Sequence, residues 1–383
     1  MLTQQYNREV AKLANDQICT WRGHDKPIAP STHEHQFAIA VVCPGTDILV
    51  GLTHGKRILA GKPHKEVLVD ITSSICDALG IDTNCVIEEI HTNEDNIIIR
   101  AGRCVGNMQI CRKSTNRWIQ ADFTLDNVAV YKFEHDVDLI SFDEGHGFIR
   151  TVDGGLFSTG SNSSCEGAVP FDRDYGTDLR KVDISYAQDI REIICGNRFT
   201  ILFMIDGSIR ACGLGHGNLK KGYAGTPFAL VEFSDGVRIA RVITDGYLIF
   251  YVTTKGLCYV TLSRTQGLSP ELVHMLDGYS IENVFILKRI IIIQHDEGKL
   301  AWIYDLNKEP IPLPFFDDKS IVSVNWMGEH IYFITIEGYV YYSGLDLNQD
   351  QIVMIPFFTN NPIMVERSIT HIRSATNKPR RTA

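Results

Sequence analysis

The sequence predicts an all-β fold, a seven-bladed β-propeller, and three observations support this. Apolar runs of strand length recur along the chain. Neighbouring runs meet at tight turns such as Asp153-Gly154 and Asp206-Gly207, where glycine supplies the positive φ that a two-residue hairpin requires. A second glycine follows the turn glycine after six residues, at Gly160 in one unit and at Gly213 in the next.

The turn position recurs seven times, at steps of 40 to 53 residues. Its members are Gly55, Arg103, Gly154, Gly207, Gly256, Gly298 and Gly338. A four-stranded blade buries its two faces only against neighbouring blades, and a ring of blades hides nearly every sheet face. The repeat therefore predicts one ring-shaped domain rather than two average domains.

Composition excludes several classes of protein. The 383 residues are 44% hydrophobic and 22% charged, as in globular proteins, and no apolar run is long enough to span a membrane. A net charge of −9 disfavours nucleic-acid binding by the main body. The ten cysteines form no C-x-x-C pair, which disfavours a zinc cluster. We expect a reduced protein of the cytoplasm or the nucleus that holds no metal or cofactor.

Residues 1–34 are predicted to form an N-terminal arm. Leu2, Tyr6, Val10 and Leu13 share one face at helical spacing, which predicts a short amphipathic helix. The segment from Ile18 to Trp21 is predicted to be a strand. We expect this strand to pair with C-terminal residues near 363–372 and so to close the ring, which would remove an exposed sheet edge.

Residues 35–372 are predicted to form the propeller. The seven units are centred on the turn positions given above, and the fourth, from Ile190 to Gly213, is the clearest. Between the first two units, Ile71, Ile75 and Leu79 predict one or two helical turns. The connectors that follow the third and fourth units are rich in Gly, Pro, Asp and Lys, which is typical of surface loops.

Residues 373–383 are predicted to form a basic tail without regular structure. From residue 366 to the end, five Lys and Arg residues face Glu366 alone, which leaves a charge of +4. Lys378, Arg380 and Arg381 are candidate contacts to an acidic protein, to nucleic acid or to an import receptor. A tail that serves only solubility is the alternative.

The fourth unit resembles the repeat of the regulator of chromosome condensation family. It reads I-x-x-I-x-C-G, a strand, Asp-Gly, and a second strand that ends in glycine. The family's repeat has a histidine three residues after the C-G pair, where this unit has Phe199. His146 and His330 occupy that position in the third and seventh units.

This resemblance implies a seven-bladed propeller that recognises other proteins. Our leading hypothesis is an interaction module or scaffold without enzymatic activity. The alternative that the resemblance implies is nucleotide exchange on a Ran-like small GTPase. That activity needs an acidic loop on one propeller face, and the connector from Cys165 to Arg180 is the candidate. Its acidic residues are Glu166, Asp172, Asp174 and Asp178.

A third hypothesis, an enzyme with its site at the mouth of a central channel, has little support in the sequence. His146 and His330 are the obvious catalytic candidates, but a residue that recurs in register across blades usually makes the same structural hydrogen bond in each. The glycine-rich stretch from Gly213 to Gly217 lacks the Lys-Ser/Thr ending and the helix of a phosphate-binding loop. We therefore assign no catalytic residue.

Overall fold

The computed structural model contains 31 β-strands and one α-helix among the residues that it describes. These residues are 2–5, 8–12, 17–22, 31–43, 48–53, 57–61, 68–82, 85–93, 96–112, 123–143, 145–169, 178–213, 228–233, 237–244, 248–262, 270–273, 276–287, 290–303, 308–327, 330–337, 339–344, 347 and 352–354. None of their helices is long and apolar enough to cross a membrane.

The first sheet, sheet 1, has seven antiparallel strands in chain order. They are β1 (Leu2–Gln5), β2 (Arg8–Lys12), β3 (Gln17–Arg22), β4 (Ser31–Cys43), β5 (Ile48–Thr53), β6 (Ile58–Gly61) and β7 (Val69–Asp70). Helix α1 (Thr72–Leu79) follows, as predicted, and buries Ile75 and Leu79. Gly80 ends it in the left-handed conformation that C-terminal caps commonly adopt.

Each of the other six sheets has four antiparallel strands in chain order. Sheet 2 contains β8 (Glu89–Asn93), β9 (Asn96–Ala101), β10 (Cys104–Arg112) and β11 (Phe123–Lys132). Sheet 3 contains β12 (Val137–Phe142), β13 (His146–Thr151), β14 (Leu156–Gly160) and β15 (Arg180–Val182). Sheet 4 contains β16 (Ile190–Gly196), β17 (Phe199–Met204), β18 (Ile209–Gly213) and β19 (Ala229–Leu230).

The last three sheets repeat this pattern with very short fourth strands. Sheet 5 contains β20 (Ile239–Thr244), β21 (Leu248–Thr253), β22 (Cys258–Leu262) and β23 (Glu271–Leu272). Sheet 6 contains β24 (Ile281–Leu287), β25 (Ile290–His295), β26 (Lys299–Ile303) and β27 (Ile311–Pro312). Sheet 7 contains β28 (Ile321–Met327), β29 (His330–Thr335), β30 (Val340–Gly344) and β31 (Val353–Met354).

The hydrophobic core lies between consecutive sheets, as in a propeller. Phe148 of sheet 3 packs in one cluster with Leu202 of sheet 4, and Phe203 of sheet 4 packs with Tyr251 of sheet 5. Sheets 5 and 6, and sheets 6 and 7, share further clusters of the same kind. Strand β1 lies beside β28, which brings sheet 1 next to sheet 7. The predicted all-β propeller class is confirmed.

The number of blades stays a prediction. The seven predicted units correspond to seven consecutive meanders, from β4–β7 to β28–β31. Strands β1 to β3 form an additional meander ahead of the first unit. It pairs with the first part of β4, whereas β5 pairs with the second part. The predicted domain boundary between residues 34 and 35 falls inside β4.

The second glycine of the repeat has a clear structural purpose in three of the sheets. In sheets 3, 4 and 7 it lies directly opposite the first residue of the second strand, in the pairs His146↔Gly160, Phe199↔Gly213 and His330↔Gly344. At Gly213, φ is +94°, and a Cβ would lie 2.7 Å from the Phe199 Cα. Neither the conformation nor the space admits a side chain at this position.

Side chains on three second strands bind the main chain of the following sheet. Arg100 Nη1 donates to the Val137 carbonyl (2.8 Å), Arg150 Nη1 donates to the Ala187 carbonyl (3.1 Å), and Gln294 Nε2 donates to the Ile321 carbonyl (3.0 Å). Arg150 also donates to the carbonyl of Ile190, the first residue of β16. Val137 and Ile321 are likewise the first residues of first strands. These hydrogen bonds connect sheet 2 to sheet 3, sheet 3 to sheet 4, and sheet 6 to sheet 7.

Two predictions for the N-terminal arm are wrong. Residues 2–5 and 8–12 form strands β1 and β2 rather than a helix, because pairing with β3 provides main-chain hydrogen bonds that an isolated short helix would have to make alone. The segment Ile18–Trp21 is a strand, within β3, but it cannot close the ring as predicted. Its two edges are already paired with β2 and β4. The predicted partner near 363–372 lies outside the described residues.

Candidate partner-binding face

The ends of the sheets form two opposite faces of the molecule. In sheets 3 to 7, the turn between the second and third strands bonds to the residue that precedes the first strand. Examples are Val152 N–H to the Asp136 carbonyl and Ile205 N–H to the Asp189 carbonyl, both 2.8 Å. These turns and lead-in residues therefore share one end of each sheet. We call it the turn face, and we call the opposite end the connector face.

Hydrogen bonds continue the turn face from one sheet to the next. Val137 N–H donates to the Gly102 carbonyl and Ile281 N–H to the Gly256 carbonyl, each at 3.0 Å. Between sheets 3 and 4, Gln188 Nε2 donates to the Asp153 carbonyl (3.0 Å). Neighbouring turns consequently form a continuous surface rather than separate tips.

The predicted exchange connector lies on the connector face. It begins after β14, which runs away from the Asp153-Gly154 turn. Asp178 is exposed there, as an exchange loop requires, whereas Glu166 is only 1% exposed. Asp172 and Asp174 lie outside the described residues, as do Lys378, Arg380 and Arg381 of the predicted tail.

Glu166 is a structural residue rather than a partner contact. Its carboxylate accepts hydrogen bonds from Ser161 Oγ (2.7 Å) and from Ser164 N–H (2.6 Å). Its carbonyl accepts from Thr200 Oγ1 (2.9 Å) and from Cys212 Sγ (3.3 Å) of sheet 4. The prediction of Glu166 as a partner-binding residue is therefore wrong, because its polar groups hold the connector against the next sheet.

His146 belongs to the same buried cluster, as its repeat position predicts. Its Nε2 lies 2.7 Å from Thr200 Oγ1. Because the Thr200 hydroxyl donates to the Glu166 carbonyl, it accepts at His146, and this assigns the proton to Nε2. Burial lowers the pKa of His146, and the charges of Glu166 and Asp143 oppose this shift. A neutral, enclosed imidazole of this kind holds two sheets together.

The thiols of this region are not reactive nucleophiles. Burial raises the pKa of Cys195 to about 12 and raises that of Cys212 well above its usual value, and nucleophilic attack requires the thiolate. Among the described residues, no three or more His, Cys, Asp or Glu side chains are grouped to hold a metal ion. The cluster therefore offers structural hydrogen bonds and no evident chemistry.

The turn face carries exposed apolar side chains at one repeat position. Val152, Ile205 and Ile336 each come directly after the second strand of their sheet. Val152 is 55% exposed and Ile205 is 66% exposed, and Ile336 is less so at 39%. Sheets 3 and 4 are neighbours, so that Val152 and Ile205 stand on adjacent turns.

Carboxylates surround these two apolar residues. The exposed acids at the turn-face ends of sheets 3 and 4 are Glu134, Asp136, Asp153, Asp189 and Asp206. Arg103 offsets them in part, since its Nε lies 3.2 Å from Asp136 Oδ1, and His135 Nε2 lies 3.6 Å from Asp153 Oδ2. We call Val152, Ile205 and these five acids the acidic-apolar patch.

Local hydrogen bonds keep the turn carboxylates charged. A hydrogen bond with the Thr151 side chain lowers the pKa of Asp153, and a hydrogen bond with the Ser208 side chain lowers that of Asp206. Ser208 N–H also donates to Asp206 Oδ1 (2.8 Å). Both carboxylates are consequently ionised at neutral pH and form fixed negative charges beside Val152 and Ile205.

The sequence contains a signal for this patch that repeat analysis alone overlooks. Val152 and Ile205 precede the Asp-Gly turns by one residue, and the repeat explains the turns as structural. The preceding strand β17 is buried along its whole length, so an alternating pattern does not separate core from surface. The signal for an exposed apolar surface is an apolar residue that follows the last residue of the second strand and directly precedes the Asp-Gly turn.

No known sequence family and no curated protein matches this chain. Among solved structures, it is similar to human WBSCR16 at 13% identity, over 76% of this chain and 82% of that one, with a TM-score of 0.49. Prp20p from Saccharomyces cerevisiae is 12% identical over 79% of this chain and 70% of its own, with a TM-score of 0.43. The designed protein Ika8 is 10% identical, over 84% and 87%, with a TM-score of 0.48.

Prp20p is the yeast RCC1 protein, from the family that the repeat resembles, and it has been studied for its binding to Gsp1p and histones. The three TM-scores are below 0.5 and the identities are low. The propeller assignment therefore rests on the sheets, registers and intersheet contacts described above, and the function must be argued from this chain's own surface.

Proposed function

We propose that this protein is an interaction module that binds a protein partner through its turn face. The observation that carries this proposal is the exposure of Val152 and Ile205 on adjacent turns. Burying large apolar side chains of this exposure against a partner is favourable by about 25 cal/mol for each Å² removed from water. Single exposed apolar residues are common on protein surfaces. Two of them at equivalent positions of neighbouring sheets can form the apolar centre of a partner-binding surface.

Charge decides which partner suits this surface. The five surrounding carboxylates repel phosphate groups, and this disfavours nucleic acid as the partner. They favour a protein segment that carries apolar side chains beside Lys or Arg. Charges at the rim of such an interface mainly raise the association rate and the selectivity, while the apolar centre supplies most of the affinity.

Nucleotide exchange on a Ran-like GTPase is the second candidate function, and the sequence resemblance favours it. Burial of Glu166 removes one of the four acidic residues proposed for the exchange loop. Asp178 is exposed on the connector face and remains available for it. The two functions therefore use opposite faces of the molecule, and this separates their tests.

The interaction proposal is tested by photocrosslinking in cells of the source organism. A benzophenone amino acid replaces Ile205 in one variant. Matched controls carry it at Leu230, which is 53% exposed on the outer strand of the same sheet, or at Asp178 on the opposite face. We expect a discrete crosslinked protein at position 205 only. Equal products at all three positions, or none at 205, would contradict the proposal.

Release of labelled guanine nucleotide from a panel of Ran-like GTPases tests the exchange alternative. Stimulation that falls when Asp178 is replaced by Ala, and that is unaffected by Ile205→Ser, would favour exchange through the connector face. If no GTPase of the panel responds, the alternative is dropped.

We also propose that the protein works in the cytoplasm or the nucleus. The seven cysteines whose side chains the structure describes are all free thiols, which supports a reducing compartment. Imaging of a fluorescent fusion tests this, and accumulation in a secretory compartment would refute it.

A further inference from the structure

We propose that the acidic-apolar patch is occupied, in the absence of a partner, by the chain's own basic segment 363–383. This inference rests on the proposed function, because it describes how access to the same surface is regulated. The segment lies outside the described residues, and it is identified as the occupant by its charge, its apolar residues and the direction in which the chain leaves sheet 7.

Charge is the first argument. Residues 366–383 carry Arg367, Arg373, Lys378, Arg380 and Arg381 against Glu366, a net charge of +4. The overall net charge is −9, so the rest of the chain carries −13. At physiological ionic strength the Debye length is about 8 Å, so attraction between exposed opposite charges acts mainly within that distance. A basic segment tethered to an acidic body is therefore drawn to the places where carboxylates are concentrated.

The turn face offers such a place on the correct side of the molecule. Strand β31 pairs antiparallel with β30, which starts just after the turn of sheet 7 and runs away from it. β31 therefore runs back toward the turn face, and its last residue is Met354. The last described residue of the chain is therefore at the turn-face side, where the patch lies, rather than at the connector face.

The length of the segment is sufficient. Lys378 is 24 residues beyond Met354 (378 − 354), and an extended chain of that length spans at most about 80 Å. A compact protein of 383 residues has a radius of gyration of about 21 Å. Every part of the turn face is therefore within reach of the basic residues.

Apolar complementarity favours the patch over other acidic parts of the turn face. Ile369 and Ile372 are three residues apart, and Arg373 follows directly. Val152 and Ile205 offer two exposed apolar contacts beside Asp153 and Asp206. The two isoleucines of the segment can pack against the two apolar residues of the patch, while the cations of the segment lie beside its carboxylates.

Occupation of the patch by the segment would make partner binding competitive. A tethered segment has an effective concentration on the order of millimolar, so that a weak intramolecular contact still covers the patch most of the time. A partner must displace it. Modification or capture of the basic residues would then expose the patch, and this gives the protein a means of regulation.

The test uses the full chain and a labelled peptide of residues 363–383. One variant, tail-neutral, carries Lys378→Gln, Arg380→Gln and Arg381→Gln. The other, patch-neutral, adds Asp153→Asn, Asp206→Asn and Ile205→Ser to tail-neutral. Fluorescence anisotropy measures peptide binding to wild type, tail-neutral and patch-neutral. Melting temperatures establish that all three are folded, and light scattering reports their masses.

We expect the peptide to bind tail-neutral at least about tenfold more tightly than wild type, because the resident segment no longer competes. Binding to patch-neutral should be lost. Failure of the peptide to bind tail-neutral, equal affinity for wild type and tail-neutral, or binding that survives in patch-neutral would each overturn the inference. A wild-type dimer that tail-neutral does not form would also overturn it, since the segment would then occupy a second copy.

The outcome is separable from that of the proposed function. Photocrosslinking at position 205 in tail-neutral reports partner binding without the resident segment. A crosslinked partner without peptide binding would leave the interaction module intact and remove only this regulation.

Discussion

At the scale of single residues, two buried positions of the repeat show how the fold constrains the sequence. Gly213 has a positive φ and lies against the main chain at Phe199. His146 is enclosed between sheets 3 and 4. The sequence predicted both as structural from their recurrence alone, because a shared repeat position implies a shared environment. It could not predict that Glu166 is buried, since a loop carboxylate looks the same whether its hydrogen bonds go to water or to Ser161 and Ser164.

Gly213→Ala is expected to destabilise the protein by at least about 2 kcal/mol, because it combines a strained φ with a clash against main-chain atoms. Gly278→Ala is the matched control. Gly278 has nearly the same φ, +96°, but a Cβ there meets no atom within 4 Å. Urea unfolding of the two variants separates the two costs. Equal losses of stability would show that the close approach at Phe199 does not matter.

His146 is expected to make stability fall as the pH is lowered. Burial lowers its folded pKa, so the unfolded chain takes up a proton first as the pH drops below the unfolded value of about 6.5. The loss is at most about 1.4 kcal/mol per pH unit for one proton. Unfolding free energies between pH 8 and pH 5 should show a shallower slope in His146→Gln than in wild type. An unchanged slope would contradict the assignment of a buried neutral imidazole.

At the scale of elements, the strands were largely predictable and their partners only partly so. The recurring turn positions, six glycines and Arg103, predicted the hairpins of all seven units. In contrast, residues 2–12 have an apolar spacing that suits a helix, and their pairing as β1 and β2 depends on β3. Similarly, Ser269-Pro270-Glu271 has the residue types typical of a helix start, but Glu271–Leu272 is the outer strand β23. Short segments take their structure from the sheet edge that they meet.

The hydrogen bonds of Arg150 to the next sheet make a prediction about intersheet cohesion. Arg150→Met is expected to lower the free energy of unfolding by about 3 kcal/mol. The substitution leaves the carbonyls of Ala187 and Ile190 without this donor, and it removes the ion-pair partner of Asp138, whose Oδ1 accepts from Arg150 Nε at 3.0 Å. Thermal or urea unfolding measures the loss.

Arg103→Met is the control for this variant. Arg103 pairs with Asp136 at the surface, where both side chains are about two-thirds exposed, and its loss should cost less than about 1 kcal/mol. If the two substitutions cost the same, the contact of Arg150 with sheet 4 contributes no more than a surface ion pair.

At the scale of the whole molecule, the repeat predicted a ring of sheets, and the cores between successive sheets follow from it. The placement of the exposed surface could not be predicted from the repeat. Whether Val152 and Ile205 face solvent or a neighbouring blade depends on how adjacent turns pack, and this is a property of the assembled sheets. The same holds for the connector, where Glu166 and Asp178 appeared equivalent in the sequence, but Glu166 is buried and Asp178 is exposed in the structure.

Strands β1 to β3 are expected to stabilise the ring even though they do not close it in the predicted way. β1 lies beside β28, and β3 covers an edge of β4. Deletion of residues 1–30 should therefore lower the melting temperature by roughly 5 °C or more, which corresponds to about 4 kcal/mol for a chain of this length. Deletion of residues 373–383 is the control and should change it little, because exposed charge contacts stabilise weakly. An unaltered melting temperature without residues 1–30 would show that these strands contribute nothing to the ring.

The central claim is that the turn face of sheets 3 and 4 binds a protein partner. The most direct measurement is the affinity of the partner identified by crosslinking for three proteins: wild type, the Val152→Ser, Ile205→Ser variant, and the Leu230→Ser variant, whose substituted residue is exposed on the outer strand of sheet 4. We predict that the double variant binds at least about tenfold more weakly, a loss of about 1.4 kcal/mol, and that Leu230→Ser binds like wild type. Wild-type affinity in the double variant would contradict the claim and would direct attention to the connector face.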